Sequence, residues 1–220
     1  MNLLIVIPCY NHQQSCIKLV SLIDNNYDIL IIDDGSDNDH DFINIKNAFI
    51  HKNKSNHGKG YCIKYGAEYA LKNNYTHILT IDADLQHDPI YINNFIKISK
   101  DRLIVYGKRE FSIKMPYLRK LSNTITSYII SKFCNVNIYD SQCGYRLYNL
   151  EVFKTNIFIE DSYIFESEVL IKSINNLNQI DYVEIDTIYN NSSSNINKVR
   201  ETINFIKLII ANANIYVNNR

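Results

Sequence analysis

Ile78-Leu79-Thr80-Ile81-Asp82-Ala83-Asp84-Leu85-Gln86-His87-Asp88-Pro89 decides how the chain reads. An apolar run ends at Ile81, carboxylates follow at Asp82 and Asp84, an amide at Gln86 and a helix start at Asp88 and Pro89. Short apolar runs bounded by turn residues are buried strands. Asp before Pro caps a helix whose first residue needs no N–H. Both acids therefore fall just past the carboxyl end of a strand, where open α/β sheets bind ligands. While strand geometry lasts, alternation puts Asp82, Asp84 and Gln86 on one face. Three oxygen-bearing side chains so spaced suit a hard divalent cation, Mg2+ or Mn2+, that also grips phosphate oxygens. Spacing alone leaves a solvated acidic turn equally open.

Upstream, Asn53 to Gly60 is a polar loop with glycines at 58 and 60, followed by a helix over Tyr61–Lys72. Such a loop either turns the chain or offers N–H groups to a diphosphate. Its spacing matches neither the P-loop nor Gly-x-Gly-x-x-Gly. Leu3–Ile7 and Ile29–Ile32 are continuous β-branched runs, hence strands buried on both faces, with an amphipathic helix from Gln13 to Asp24 between them. The first ends in Pro8-Cys9-Tyr10-Asn11, the second in Asp33-Asp34-Gly35-Ser36. An acid at that edge accepts hydrogen bonds from a base or ribose, or makes an Asx turn. A short helix over Phe42–Asn47 and a strand over Ala48–Ile50 complete this side. Downstream come a helix over Ile90–Ser99 and a strand over Leu103–Tyr106, ending in Gly107-Lys108-Arg109. Strand and helix alternate throughout, which predicts an α/β protein with a mostly parallel, doubly wound (Rossmann-like) sheet and helices on both faces.

Beyond residue 110 the pattern changes. Phe111–Met115 reads as a loop and Pro116 opens a long helix to Phe133. Asp140–Arg146 is a polar turn leading into a strand at Leu147-Tyr148. Ile164–Ile174 is a helix bearing Glu166 and Glu168, Tyr182–Tyr189 a strand, Asn190–Asn197 a Ser/Asn loop and Val199–Val217 a last amphipathic helix.

Composition excludes several classes. Charges balance, 23 basic against 23 acidic in 220 residues, so there is no field for nucleic acid. No apolar run approaches the roughly 20 residues of a membrane span. The five cysteines, at 9, 16, 62, 134 and 143, form no Cys-x-x-Cys pair. With the apolar start broken at Pro8, a reducing cytoplasm is the expected setting.

Seven motifs in order carry a resemblance over nearly the whole chain: Ile-Pro-Cys-Tyr-Asn (7–11), Asp-Asp-Gly-Ser (33–36), Asn-His-Gly-Lys-Gly (56–60), Asp-Ala-Asp-Leu-Gln-His-Asp-Pro (82–89), Gly-Lys-Arg (107–109), Asp-Ser-Gln-Cys-Gly-Tyr-Arg (140–146) and Phe-Glu-Ser-Glu (165–168). Together they resemble family two glycosyltransferases, more narrowly the polyprenyl-phosphate (dolichol-phosphate) mannosyl- and glucosyltransferase branch. The resemblance implies one GT-A domain over 1–220, with a nucleotide-sugar-binding half (1–109), an acceptor half (110–197) and a C-terminal helix (198–220). It also implies a nucleotide-sugar donor, Mg2+ or Mn2+, and inversion at the anomeric carbon.

By position, the resemblance assigns Pro8, Tyr10, Asn11 and Asp34 to the nucleoside pocket, Gly58 to the adjoining loop and Asp82 to the ribose and sugar side. Asp84, with Gln86, matches metal ligands. Lys108 and Arg109 match a phosphate-facing basic position. Asp140 and Arg146 belong to the acceptor-side turn, where Gln142-Cys143 replace the usual Thr-Ser. Glu168, with Glu166, matches an acidic pair near the active site, the alternative being a solvated helix face. Arg119, Arg146 and Arg200 come from three segments that the resemblance sets around an acceptor phosphate.

The acceptor is expected to be a lipid phosphate or, alternatively, a sugar hydroxyl of a glycan. The first needs cations rather than a base, because a phosphate is already ionised; the second needs a carboxylate base. No tryptophan is present, so the Gln/Arg-x-x-Arg-Trp motif of processive synthases is missing and one sugar per event is expected. A lipid acceptor implies either peripheral contact of the last helix with the membrane or a separate integral membrane partner; burial of that helix in the core is the third possibility.

Overall fold

A computed structural model describes residues 1–37, 42, 45, 48–110, 117–174, 179–188 and 198–213, without the side chains of 118, 119 and 198–200. The expected elements at Phe111–Met115 and Asn190–Asn197, most of that at Phe42–Asn47, and the end of the last helix beyond 213 lie outside the described residues.

Seven strands form one sheet: β1 (Leu3–Cys9), β2 (Asp28–Asp33), β3 (Ala48–Lys52), β4 (His77–Thr80), β5 (Ile104–Arg109), β6 (Arg146–Asn149) and β7 (Ile180–Ile185), in the order β3-β2-β1-β4-β6-β5-β7. Adjacent pairs are parallel except that β6 runs antiparallel to both β4 and β5. The helices are α1 (Gln13–Leu22), α2 (Lys59–Lys72), α3 (Ile92–Ile98), α4 (Tyr117–Cys134), α5 (Glu151–Thr155), α6 (Phe165–Ser173) and α7 (Lys198–Ala211).

The period of two in β1 explains its unbroken apolar run. Leu4 and Val6 point into one layer, with residues of α2, α4, α6 and α7. Leu3, Ile5 and Ile7 point into the other, with residues of α1 and α3. A strand covered on both faces has no polar side. Pro8, which lacks an N–H, is tolerated in this central strand because β4 pairs only with Leu3–Val6 and diverges beyond. That divergence, at the switch between β1 and β4, opens the crevice in which doubly wound folds bind ligands.

Two boundaries differ from the sequence expectation in ways that matter. β4 stops at Thr80, so Asp82, Asp84 and Gln86 lie in a turn, with Leu85 at φ 62°, and strand alternation does not order them. Helix α2 begins at Lys59, two residues early, which brings Lys59 into the first turn at the same edge. In α7, Phe205 and Leu208 are buried while Ile203, Ile206 and Ile210 are exposed, so the last helix is core on one side only.

Candidate active site

The site gathers where the turn after β4 meets the turn before β6. Antiparallel pairing sets Thr80 opposite Arg146, and Thr80 Oγ1 donates to the Gly144 carbonyl at 2.8 Å. Gly144 thus lies against the acids: a Cβ there would stand 2.5 Å from Asp82 Oδ2 and overlap Lys59 Nζ.

Lys59 is the hub. Its Nζ is 2.5 Å from Asp82 Oδ1 and 2.8 Å from Glu166 Oε1. Burial works to lower the Lys59 pKa, but the two carboxylates override it and hold the ammonium charged. Asp82, although burial opposes its charge, is held below the usual carboxylate range by Lys59 and the neighbouring cationic groups. Asp84 goes the other way: burial first, then the charge of Asp82, push its carboxyl up. Asp84 Oδ1 accepts from the Gln86 backbone N–H at 3.0 Å, and the Gln86 carbonyl accepts from Ile188 N at 3.1 Å, so the acidic turn is pinned at both ends.

An anion destabilised in this way fits a divalent cation. Among the described residues no three His, Cys, Asp or Glu side chains cluster as a metal cage. The donor set suits an ion that takes one carboxylate from the protein and its remaining oxygens from water or a bound ligand, the mode typical of Mg2+.

His87, not singled out in the sequence, is buried beside this turn with its pKa pushed down to about 4 by burial, and so is neutral. Its Nδ1 has no hydrogen-bond partner among the described residues. Only its position inside the acidic motif could have flagged it.

On the donor side, the structure brings the nucleoside candidates together through contacts within the chain. Asp34 is buried. Its Oδ1 accepts from Asn53 Nδ2 (2.7 Å) and His57 N (3.0 Å), and its Oδ2 from Gly58 N (2.7 Å). Asp34 thus clamps the Gly58 loop from behind, and this geometry favours a positioning role over the expected direct nucleoside contact. Asp33 makes the Asx turn instead, accepting from Ser36 N at 3.1 Å. Gly58, at φ 106°, closes on the Asp161 carbonyl, where a side chain would collide. Asn11, at φ 56°, exchanges two hydrogen bonds with Asp37 (2.8 and 2.9 Å); Pro8 and Tyr10 are partly exposed nearby in the chain.

The acceptor-side expectations need three corrections. Arg146 is fully buried, and its guanidinium donates to the carbonyls of Cys143 (2.7 Å), Glu166 (2.9 Å) and Ser141 (2.6 Å). It braces two segments and does not face a phosphate. Glu168 is also fully buried; it accepts from Ile159 N and Glu160 N and pairs with Lys172 at 2.7 Å, so it anchors the 159–160 strap away from the acidic turn. Glu166 is the member of the pair that reaches the site, and neither is a solvated face, because α6 is buried nearly all round. Lys108 pairs with Glu184 at 2.8 Å and lies over the Tyr139 and Tyr182 rings, at 5.0 and 4.9 Å.

Arg109 binds Asp140 through Nε (2.7 Å) and Nη2 (2.9 Å), and Asn123 of α4 adds a bond to Asp140 Oδ1 at 2.8 Å. Burial opposes the Asp140 charge, but Arg109 holds its pKa below the carboxylate range. The side chains of Arg119 and Arg200 lie outside the described residues.

An acidic turn at the carboxyl edge of a doubly wound sheet with one antiparallel insertion is the arrangement of GT-A glycosyltransferases. Glucosyl-3-phosphoglycerate synthase of Mycobacterium tuberculosis, solved with Mg2+ and uridine diphosphate, superposes over 96% of this chain and 79% of its own, with a TM-score of 0.74 and 14% identity. The chain belongs to glycosyl transferase family 2, whose model matches residues 4–157.

Among relatives, an uncharacterized protein of Methanocaldococcus jannaschii is 30% identical over 76% of this chain and 80% of its own. The undecaprenyl-phosphate 4-deoxy-4-formamido-L-arabinose transferase of Aeromonas hydrophila is 25% identical over 67% of this chain, and the dodecaprenyl-phosphate galacturonate synthase of Rhizobium johnstonii 24% over 70%. The matched regions cover 49% of each of those two proteins, so the chain spans about half their length. No helix among the described residues is long and apolar enough to cross a membrane.

Proposed function

We propose that this protein moves one sugar, with inversion, from a UDP- or GDP-linked donor to a polyprenyl phosphate, and that it needs Mg2+ or Mn2+. The observation that carries this reading is the unequal treatment of two neighbouring acids. Asp82 is neutralised by Lys59, while Asp84 is left half-buried beside it with its charge disfavoured. One carboxylate is thus preorganised for polar contact, and the other is suited to hold a cation together with a diphosphate.

In this reading Asp84, with Gln86 beside it, would hold the metal, which as a Lewis acid supplies stabilisation for charge gathering on the diphosphate. Departure of the sugar passes through an oxocarbenium-like state, by analogy with glycoside hydrolysis. Lys59 fixes the Asp82 carboxylate so that it accepts hydrogen bonds from the ribose or sugar without reorganising during the reaction. Asp34 and Gly58 set the α2 amino terminus, whose N–H groups favour an anion. Arg109, held by an Asp140 that Asn123 also binds, presents a fixed guanidinium on the acceptor side. A phosphate acceptor needs no general base, and its attack opposite the leaving group inverts the anomeric centre.

The relatives named for polyprenyl-phosphate acceptors support the lipid reading over a glycan hydroxyl. The test is incubation with a panel of nucleotide sugars, reading nucleoside diphosphate release with and without a short-chain polyprenyl phosphate. Release stimulated by the lipid phosphate is expected. Release stimulated only by a sugar hydroxyl acceptor would transfer the case to a glycan-directed enzyme.

A further inference from the structure

Helix α4 has one face at the candidate site and another that nothing among the described residues covers. At about 100° per residue, Asn123, Ser127 and Ile130 share the inward face. Asn123 binds Asp140 at 2.8 Å, Ser127 Oγ meets Ser141 Oγ at 3.0 Å and Ile130 is fully buried. Turned about half a circle away, Tyr117, Leu121, Ile125 and Tyr128 form a single stripe, each between 43% and 74% exposed. The stripe ends at Lys132, whose Nζ lies 5.5 Å from the Tyr128 ring centre.

The segment that carries this stripe has charge of one sign in its sequence. From 111 to 139 the chain carries Lys114, Arg119, Lys120 and Lys132 and not one Asp or Glu, in a protein whose charges balance as a whole. An apolar and tyrosine-bearing stripe ending in Lys132, on a segment without acids, matches neither water nor a neutral partner well. It matches the headgroup boundary of an anionic bilayer, where apolar side chains enter the acyl edge, tyrosines sit at the interface and lysines meet the phosphates.

We infer that the outer face of α4 is a membrane-docking surface that lies on an anionic lipid surface and so holds the Asp140 turn close to the headgroups. The inference rests in part on the lipid-phosphate reading of the acceptor, and it adds where the protein meets the lipid. Each basic residue near an anionic surface contributes about 1 kcal/mol, roughly fivefold in affinity.

The test uses the full chain and two kinds of vesicle, phosphatidylcholine alone and phosphatidylcholine with phosphatidylglycerol. The protein should co-sediment with the anionic vesicles at least tenfold more strongly than with the neutral ones, and raised salt should weaken the binding. The double variant Leu121→Glu, Ile125→Glu changes two exposed side chains and should keep the fold. It should lose at least tenfold in vesicle binding while transferring sugar to a detergent-dispersed short-chain polyprenyl phosphate at the wild-type rate. Equal binding to both vesicles, or wild-type binding by the variant, would overturn the inference. So would a solution dimer that the variant dissolves, because a second copy would then cover the stripe. Loss of transfer activity in the wild type itself would count against the acceptor reading and leave the vesicle result to stand on its own.

Discussion

Lys59 Nζ stands 2.5 Å from Asp82 Oδ1, so the first residue of α2 neutralises the first acid of the turn after β4. Glu166 closes the group from α6 at 2.8 Å. Removing the lysine leaves two carboxylates facing each other in a largely buried place. Lys59→Met should cost about 3 kcal/mol of stability, the low end for breaking a buried pair because Asp82 is partly exposed. Adding Glu166→Gln should restore part of that loss, a coupling that denaturant unfolding of the single and double variants will measure. Simple additivity would count against the hub.

Asp84 has the opposite energetics. Its folded pKa is raised, so its ionised form is disfavoured, and the stability it contributes is lost as pH rises from its unfolded value through its folded one. At neutral pH and in chelator, Asp84→Asn should therefore be at least as stable as wild type, since the amide oxygen can still accept from Gln86 N. Mn2+ with a nucleoside diphosphate should raise the Tm of wild type and not of the variant, and turnover should fall at least a hundredfold. An equal Tm rise in both would remove Asp84 from the metal site.

Glu166 and Glu168 should separate cleanly. Glu168→Gln removes the charge paired with Lys172 and one of the two oxygens that accept from Ile159 N and Glu160 N, and should destabilise by about 2–3 kcal/mol. Its turnover per folded molecule should change by less than threefold, about 0.7 kcal/mol of barrier. Glu166→Gln should lower turnover at least tenfold, through the loss of order at Lys59 and Asp82. Unfolding curves read beside kinetics decide this, and a reversed pattern would return Glu168 to the site.

Arg146→Met should act on the fold and not on acceptor affinity. Three buried carbonyls would lose their donor, at a cost of about 3 kcal/mol or more. The KM for the acceptor should stay within about threefold of wild type, since the lost contact is internal. A large rise in KM with unchanged stability would show that the guanidinium meets the substrate.

Much of the fold was legible because it is written in local pattern. The double-sided apolar run of β1 placed the central strand, although the strand runs on through Pro8 to Cys9, and the run into Asp82 and Asp84 placed the ligand edge. What was not legible depends on long-range pairing. The four residues of β6 carry no sign that they insert antiparallel between β4 and β5. Helix α6 is buried almost all round, so helical spacing could not tell which of Glu166 and Glu168 points at the site. Lys59 belonged to a recognised loop, yet its partners come from the turn after β4 and from α6. The resemblance points Arg146 at an acceptor phosphate; here backbone carbonyls from three residues take its donors, a long-range arrangement that no local pattern signals.

The most direct test is proton NMR of the first product formed from a nucleotide sugar, a short-chain polyprenyl phosphate and Mn2+. The spectrum reports both the linkage and the anomeric configuration. A sugar 1-phosphate ester of the lipid with inverted configuration is the predicted result. Retained configuration, or a sugar joined to a hydroxyl with the lipid phosphate unchanged, would contradict it.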